Sequence, residues 1–298
     1  ISGLNSALAK KGFTITVSDN TIVENPIEIL FFSNTKNDNF VQYRNNIIIG
    51  NNAQIKFVER IQNLSPAKCF VNHFTKISIG ENTNAEYNKI QDNSSNAILI
   101  DSMNVYQMKN SNAVVNTLIF GGAFTRNSLA FEQNGRNCES NMNGISILAG
   151  NQFADNHTFV DHKQPHSRSN EMYKGIYLEE SKGVFNGKIM VRPDAQKIDA
   201  FQSNNNLLLS ERATIDSKPQ LEIYADDVKC SHGCTIGQLD DNALFYMRSR
   251  GIRRKEAKAV LTYAFASEVL NNISIPEVKK MAQKRLAKKL NVDLDFNL

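Results

Sequence analysis

The sequence predicts a mainly β fold that ends in a small α-helical region. From Phe13 onward, short apolar runs rich in Ile, Val, Phe or Tyr begin about every dozen residues, which favours strands. Turn residues such as those at 50–52 and 80–82 separate the runs. No amphipathic segment of helical length interrupts them before Asp240. This excludes a doubly wound α/β fold, in which helices alternate with strands.

The predicted strands follow a short helical or irregular entry over Ile1–Lys11. The apolar runs are Ile27-Phe32, Ile47-Ile49, Ile55-Val58, Ile77-Ile79, Ala97-Ile100, Val114-Phe120, Ile145-Leu148, Tyr173-Leu178, Val184-Val191 and Leu207-Leu209. Asparagine is frequent between them and suits tight turns, because it tolerates left-handed backbone. Two sandwiches, a propeller or a solenoid of parallel coils remain open, although no blade-length repeat with a Trp-Asp signature occurs.

The helical region begins where the strand pattern stops. Asp240 or Asp241 can cap the first helix, because a carboxylate is favourable at the positive end of the helix dipole. Leu244, Phe245 and Met247 give this helix an apolar face. Three helices are predicted over Asp240–Ser249, Arg253–Asn271 and Pro276–Lys289. We therefore divide the chain into a β core of residues 1–237 and a helical region of residues 238–298, whose helices pack partly against the core.

Composition is typical of a soluble globular protein, with 41% hydrophobic and 21% charged residues among 298. No apolar run reaches the roughly 18–20 residues of a membrane span, and no secretory signal is visible. From Gln238 onward the chain carries twelve Lys and Arg against seven Asp and Glu. Solvated helix faces or a protein partner explain this basic tail better than nucleic acid, because no aromatic stacking platform accompanies it.

The four cysteines are too few for a disulfide scaffold in a chain of this length. They are Cys69, Cys138, Cys230 and Cys234, and no CxxC pair indicates a zinc ribbon. We interpret them as reduced thiols of a cytoplasmic protein. Cys69 and Cys138 are predicted to be strand residues that act as small buried hydrophobes.

The segment between the last strand and the first C-terminal helix contains Cys230-Ser231-His232-Gly233-Cys234. On an extended chain Cys230, His232 and Cys234 face the same way, with neighbours roughly 6.6 Å apart. That spacing is wide for one tetrahedral ion, and it suits a polynuclear cluster or ligands shared with a second chain. Packing of small residues inside the final coil is the alternative. A thiol nucleophile with His232 as base lacks an orienting third group.

Three of the five histidines lie within ten residues, at His157, His162 and His166. Imidazoles bind first-row metals, so this stretch is a candidate metal site. However, His157 lies on the opposite strand face, and Pro165 interrupts the strand. The alternative is a corner at which His and Asn side chains bond to turn backbone.

Other signatures of catalysis are missing from the sequence. It contains no G-x-x-x-x-G-K-[ST] loop to cradle a phosphate, no G-x-G-x-x-G and no G-x-S-x-G. A β-solenoid polysaccharide lyase or hydrolase would need carboxylates in an external groove. Asp161, Asp226 and Asp227 are available, but the cysteine usage and missing signal argue against an exported enzyme.

Two stretches resemble signatures of the SufB/SufD family of iron–sulfur cluster assembly proteins. Residues 157–175 match DH--PHS-SN--YKG, and residues 219–252 read PQLEIYADDVKCSHGCTIGQLDDNALFYMRSRGI. The SufD branch is the most similar, because SufB-type chains have His-Glu-Ala where this chain has His232-Gly233-Cys234. The resemblance covers nearly the whole chain and implies a right-handed parallel β-helix core flanked by helices.

The resemblance also implies a scaffold subunit that is not itself an enzyme. Such a subunit pairs with a SufB-like subunit through the β-helix and docks a SufC-like ATPase through its C-terminal helices. A nascent iron–sulfur cluster would form transiently near the SufB–SufD interface, with none expected on the isolated chain, which could then self-associate. His232 is the strongest candidate ligand, followed by Cys230 and then Cys234. Neither nucleic acid nor membrane is an expected partner, and the family's N-terminal helical segment would precede this chain.

Overall fold

The computed structural model describes residues 2–64 and 67–292, and it confirms a parallel β-helix followed by helices. Its helices are α1 (Ser2–Leu8), α2 (Asp241–Ser249), α3 (Arg254–Leu270) and α4 (Pro276–Lys289). Its strands are β1 (Thr14–Val17), β2 (Ile27–Ser33), β3 (Asn39–Ile49), β4 (Gln54–Asn63), β5 (Cys69–Ile79), β6 (Asn84–Gln91), β7 (Ala97–Gln107), β8 (Asn112–Ile119), β9 (Phe124–Gln133), β10 (Glu139–Leu148), β11 (Phe153–His162), β12 (Arg168–Tyr177), β13 (Lys182–Val191), β14 (Ile198–Leu208), β15 (Thr214–Ile223) and β16 (Val228–Gly237).

The chain alternates between two parallel sheets. The odd-numbered strands form one eight-stranded sheet, and the even-numbered strands form the other. We call these the odd sheet and the even sheet. Each pair of consecutive strands is one coil, and each strand bonds to the strand one coil before and one coil after it. Of the architectures that periodicity left open, the solenoid is therefore the one adopted.

The interior between the sheets is built from rows of side chains in register. One row of the odd sheet is entirely apolar and contains Ile47, Ile77, Val105, Phe131, Val160 and Ile189. All six are buried. Neighbouring parallel strands lie ~4.8 Å apart, so each of these side chains packs on the same position of the next coil. Alternation within a strand thus becomes a continuous core along the solenoid.

One corner of the solenoid is an asparagine ladder. Five successive coils turn at an Asn with left-handed backbone, whose φ values lie between 54° and 59°, at Asn20, Asn52, Asn82, Asn110 and Asn137. Each side-chain amide from Asn52 onward donates to the side-chain oxygen of the previous Asn, at 2.9–3.1 Å. The expectation that Asn marks left-handed turns is confirmed, and these turns are also linked to one another.

The interior also contains a cluster of buried charges, which we call the ionic cluster: Glu59, His73, Lys89 and Asp101. Lys89 Nζ lies 2.5 Å from Asp101 Oδ2, and His73 Nδ1 lies 3.2 Å from Asp101 Oδ1. His73 Nε2 lies 3.8 Å from Glu59 Oε2. Burial alone would lower the pKa of His73, but Glu59 and Asp101 together raise it. Burial, the largest effect on Glu59, raises the pKa of this carboxyl. The four side chains therefore form one group of interacting charges inside the core.

Helices α3 and α4 cover the outer face of the even sheet. Ala266, Val269, Ala282 and Leu286 share one core with strand residues such as Leu118, Ile145, Ile147 and Ile176. Lys174 on β12 donates to the Phe265 carbonyl oxygen at 2.9 Å and pairs with Glu268 at 2.6 Å. The prediction that these helices pack on the β core is confirmed. None of the four helices has the length and hydrophobicity of a membrane span, as far as the described residues go.

Two local predictions are wrong. Helix α2 buries Leu244, but Phe245 is 74% exposed, so these residues do not form one packed apolar face. The reason is that α2 contacts mainly α3 and lies away from the sheet. Cys138 is buried as expected, but it lies just before β10 and not within a strand. Its thiol faces the carbonyl oxygens of Gly135 and Met108, at 3.1 and 3.2 Å.

The asparagine ladder predicts an unusual order of stability at Asn82. Asn82→Ala should have a free energy of unfolding about 1–2 kcal/mol lower than Asn82→Gly, because only glycine adopts left-handed backbone without strain. It should therefore unfold at a lower urea concentration. Asn84, an exposed strand residue two positions on, is the matched control, and there Ala should be more stable than Gly. The same order at both positions would contradict the left-handed assignment.

The ionic cluster predicts that the stability of the fold depends more on the balance of the buried charges than on their number. Lys89→Met should destabilise the fold by about 3–5 kcal/mol, because it leaves Asp101 buried without its closest cation. Adding Asp101→Asn to this variant should recover part of the loss. Denaturant unfolding of the two single variants and the double variant measures the coupling. Additive losses would show that the two side chains do not interact.

Candidate functional site

The last coil leaves one end of the solenoid open. Strands β15 and β16 are the final strands of their sheets, and each pairs on one side only, with β13 and β14 respectively. Within the described chain, no strand pairs with their outer edges. We call this the open end. It carries unpaired backbone donors and acceptors of two parallel edge strands.

Strand β16 contains the three predicted ligands, and its register shows which way they face. The register pairs are Ala200–Cys230, Gln202–His232 and Asn204–Cys234. The three partners on β14 are buried, so Cys230, His232 and Cys234 lie on the interior-facing side of the final coil. No further coil of the described residues covers them. The structure therefore places all three on one face, at the point where the interior of the solenoid meets solvent.

The three ligands differ in exposure. Cys230 is partly buried against the cluster that contains Ile198 and Ala200. Burial and, less strongly, the charge of Asp199 raise the pKa of the Cys230 thiol. His232 and Cys234 are exposed. Packing inside the final coil thus accounts for Cys230 in part, but not for His232 or Cys234.

A polar chain lies directly behind His232. Gln202 Nε2 donates to Glu171 Oε2 at 2.9 Å, and Thr158 Oγ1 donates to the same oxygen at 2.7 Å. Burial raises the pKa of Glu171 to about 7, which these two donors lower only in part. Glu171 Oε1 and Gln202 Oε1 have no hydrogen-bond partner. The sequence alone did not reveal this hydrogen-bonded group, because Thr158, Glu171 and Gln202 lie on three different strands.

The histidine-rich stretch does not form one site. His157 faces outward and contacts Asp155 Oδ1 at 2.9 Å through Nε2. His162 faces inward, where Nε2 lies 3.0 Å from Ser169 Oγ and burial lowers the pKa to about 4. His166 occupies a left-handed turn with φ of 63°. The three histidines therefore lie in different surroundings, and His166 lies at a corner of the solenoid.

The carboxylates considered for polysaccharide cleavage are also dispersed. Asp161 is buried and accepts two hydrogen bonds from Arg192, at 2.9 and 3.0 Å. Asp227 pairs with Lys197 at the corner before β16. Because Asp161 is already bound to Arg192, it offers no free carboxylate to an external groove.

The ionic cluster is a second candidate that sequence analysis missed. One ligand atom each from Glu59, His73 and Asp101 lies within 4.8 Å of the others, and in the described chain no other group of three His, Cys, Asp or Glu does so. Lys89 Nζ occupies the same region, 2.5 Å from Asp101 Oδ2. One sequence feature could have revealed it: Glu59 is a charged residue at an inward-facing position of β4, where Ile55, Phe57 and Ile61 occupy other inward-facing positions.

Comparison with known proteins agrees with this architecture. A family model described as SUF system FeS cluster assembly, SufBD core domain, matches residues 31–265. Iron-sulfur cluster assembly protein SufD of Escherichia coli is 31% identical over 85% of this chain and 60% of its own length. A SufBD family protein of Synechocystis is 33% identical over 93% of this chain and 63% of its own length. The chain therefore belongs to the SufB/SufD family.

Within that family, the chain belongs to the SufD branch. Besides the Escherichia coli protein, the SufD of Bacillus subtilis is 24% identical over 97% of this chain and 67% of its own length. The residues present fit the branch expectation as well, since β16 carries His232-Gly233-Cys234 without a carboxylate. The chain spans about three fifths of the length of the Escherichia coli and Synechocystis relatives.

Different burial of the four cysteines predicts an order of alkylation. Cys234 should react first with iodoacetamide, because it is exposed, and Cys230 should follow more slowly because its thiol is partly buried. Cys69 and Cys138 are buried and should react only after denaturation. Peptide mass spectrometry over a time course gives the order. Equal labelling of Cys138 and Cys234 in the native chain would contradict the packing described.

Proposed function

We propose that this chain is a scaffold subunit of iron–sulfur cluster assembly that presents His232, Cys230 and Cys234 to a nascent cluster at its open end. The observation that carries the proposal is the placement of two thiols and an imidazole on one face of an edge strand whose outer edge is unpaired within residues 2–64 and 67–292. Thiolate and imidazole are the ligands that iron–sulfur centres use. The cluster is cargo, and the subunit assists its assembly without being an enzyme itself.

Spacing along β16 favours ligands shared with a partner. Neighbouring members of the triplet are two residues apart on an extended strand, roughly 6.6 Å, so they do not converge on one ion. A cluster held here would take some of its ligands from a second subunit. Burial raises the pKa of the Cys230 thiol, so a metal bound there would have to displace its proton.

The open end is suited to a SufB-like partner. Edge strands recruit other strands through their unpaired backbone groups, and β15 and β16 present two such edges side by side. Exposed apolar side chains accompany them, at Phe201, Ile223, Tyr224 and Ile236. Pairing of two β-helices through these strands would bury the apolar side chains and enclose the triplet.

Helix α2 is suited to docking of a SufC-like ATPase. Phe245 and Tyr246 are 74% and 60% exposed on a short helix, next to the guanidinium groups of Arg248 and Arg250. Exposed aromatic residues with neighbouring arginines are the usual centre of a protein interface. Since α2 lies apart from the sheet, a partner could bind there without disturbing the core.

Reconstitution of the complex tests the proposal. The chain is mixed with SufB-like and SufC-like partners and treated anaerobically with iron and sulfide, and bound iron and visible absorption are measured. His232→Ala should lower the cluster's iron affinity by at least about tenfold, since even residues around metal ligands affect affinity that much. Cys230→Ala should reduce it less.

His157→Ala is the matched control, because His157 is also partly exposed but lies on the outer face of the odd sheet. It should leave the cluster unchanged, and size-exclusion chromatography should show the same assembly for every variant. Full cluster yield in both His232→Ala and Cys230→Ala would sink the ligand role of this strand.

A further inference from the structure

Gln202 is the side chain best placed to act on His232. The two residues are register partners on β14 and β16, so their side chains lie on the same face of neighbouring strands, ~4.8 Å apart at the backbone. Gln202 is fully buried, whereas His232 is exposed at the open end. The buried amide therefore lies one strand inward from the exposed imidazole.

Contacts with Glu171 and Gly187 fix the orientation of the Gln202 amide. Its nitrogen donates to Glu171 Oε2 at 2.9 Å, and the Thr158 hydroxyl donates to the same oxygen. Gly187 on the opposite sheet leaves room for the amide, since a Cβ there would lie 2.3 Å from Gln202 Nε2. With the nitrogen committed to Glu171, the amide oxygen is the atom left to face other groups.

That oxygen lacks a donor. Gln202 Oε1 is buried and has no hydrogen-bond partner, although a buried acceptor without one costs about 1–3 kcal/mol. His232 is exposed at the open end, so its ring N–H is available to an acceptor. An acceptor without a donor therefore lies one strand away from a side chain that carries an exposed N–H.

We propose that Gln202, oriented by Glu171, is a positioning residue that accepts a hydrogen bond from one ring N–H of His232 and leaves the other ring nitrogen free to bind metal. Histidine ligands usually donate their second N–H to a carbonyl or carboxylate, which selects the tautomer and the ring orientation. This inference rests on the proposed function of His232. It adds two residues from the interior to the site.

The tautomer of His232 provides a direct test in the full chain. Histidine labelled with ¹⁵N is followed by NMR at a pH where the imidazole is neutral, and the His232 signals are assigned by their loss in His232→Ala. The wild-type chain should show one dominant tautomer. Gln202→Met, which keeps the length of the side chain but removes the acceptor, should give the mixture seen in a short histidine peptide.

Glu171→Gln is the second variant. It keeps the volume of the side chain and one oxygen acceptor, but it allows the Gln202 amide to rotate so that its nitrogen and oxygen exchange places. It should weaken the tautomer preference while the fold is retained. Asn205→Ala is the matched control: Asn205 accepts from Thr235 at 2.8 Å between the same two strands, on the opposite face. It should leave the tautomer unchanged.

Iron affinity in the reconstituted complex distinguishes the ligand role of His232 from the positioning role of Gln202. Gln202→Met should lower it by roughly 10–100-fold if Gln202 positions the ligand. If His232→Ala itself has no effect on bound iron, the proposed function fails. If His232→Ala has its effect but Gln202→Met matches the wild type in tautomer or in affinity, the positioning role is wrong, and Gln202 Oε1 binds water instead.

Discussion

The structure depends on the in-register stacking of one coil on the next. Because every strand bonds to the equivalent strand one coil away, each side chain has the same position of the neighbouring coil ~4.8 Å above and below it. Like side chains therefore gather in rows: isoleucine and valine in the core, asparagine at the corner. The ionic cluster follows the same rule, since Glu59 and Lys89 are register partners on one sheet, as are His73 and Asp101 on the other.

Stacking also determines where the solenoid is incomplete. Each coil pairs with the backbone of the previous one and covers its side chains, but in the part of the chain that the structure describes no coil follows β15 and β16. Strand β16 therefore exposes His232 and Cys234 on a face whose register partners on β14 are buried. A partner with the same architecture could continue the stack, so structural completion and cluster assembly would require the same surface.

Two buried carboxylates show how the neighbours of a buried acid determine the direction of its pKa shift. Burial alone would raise the pKa of Asp101, but Lys89 and His73 outweigh it and hold the carboxylate ionised. Glu171 has only neutral donors, Thr158 and Gln202, so burial prevails and its pKa rises to about 7. Asp101 contacts Lys89 and His73, whereas Glu171 Oε1 and Gln202 Oε1 have no hydrogen-bond partner.

The sequence by itself determined the features that depend on local periodicity. The strands, the three C-terminal helices, the left-handed asparagine turns and the common face of Cys230, His232 and Cys234 all follow from alternation or helical spacing within a few residues. Which residues meet across coils was decided by register, which joins positions about thirty residues apart and leaves no mark on local pattern. Only the tertiary structure therefore brought Glu59 and His73 together, placed Gln202 one strand inward from His232, and turned Phe245 toward solvent. The physical reason is that the face of the strand on which a side chain lies depends only on its immediate neighbours in sequence. Its register partner on the next coil depends on the lengths of all the turns between the two strands.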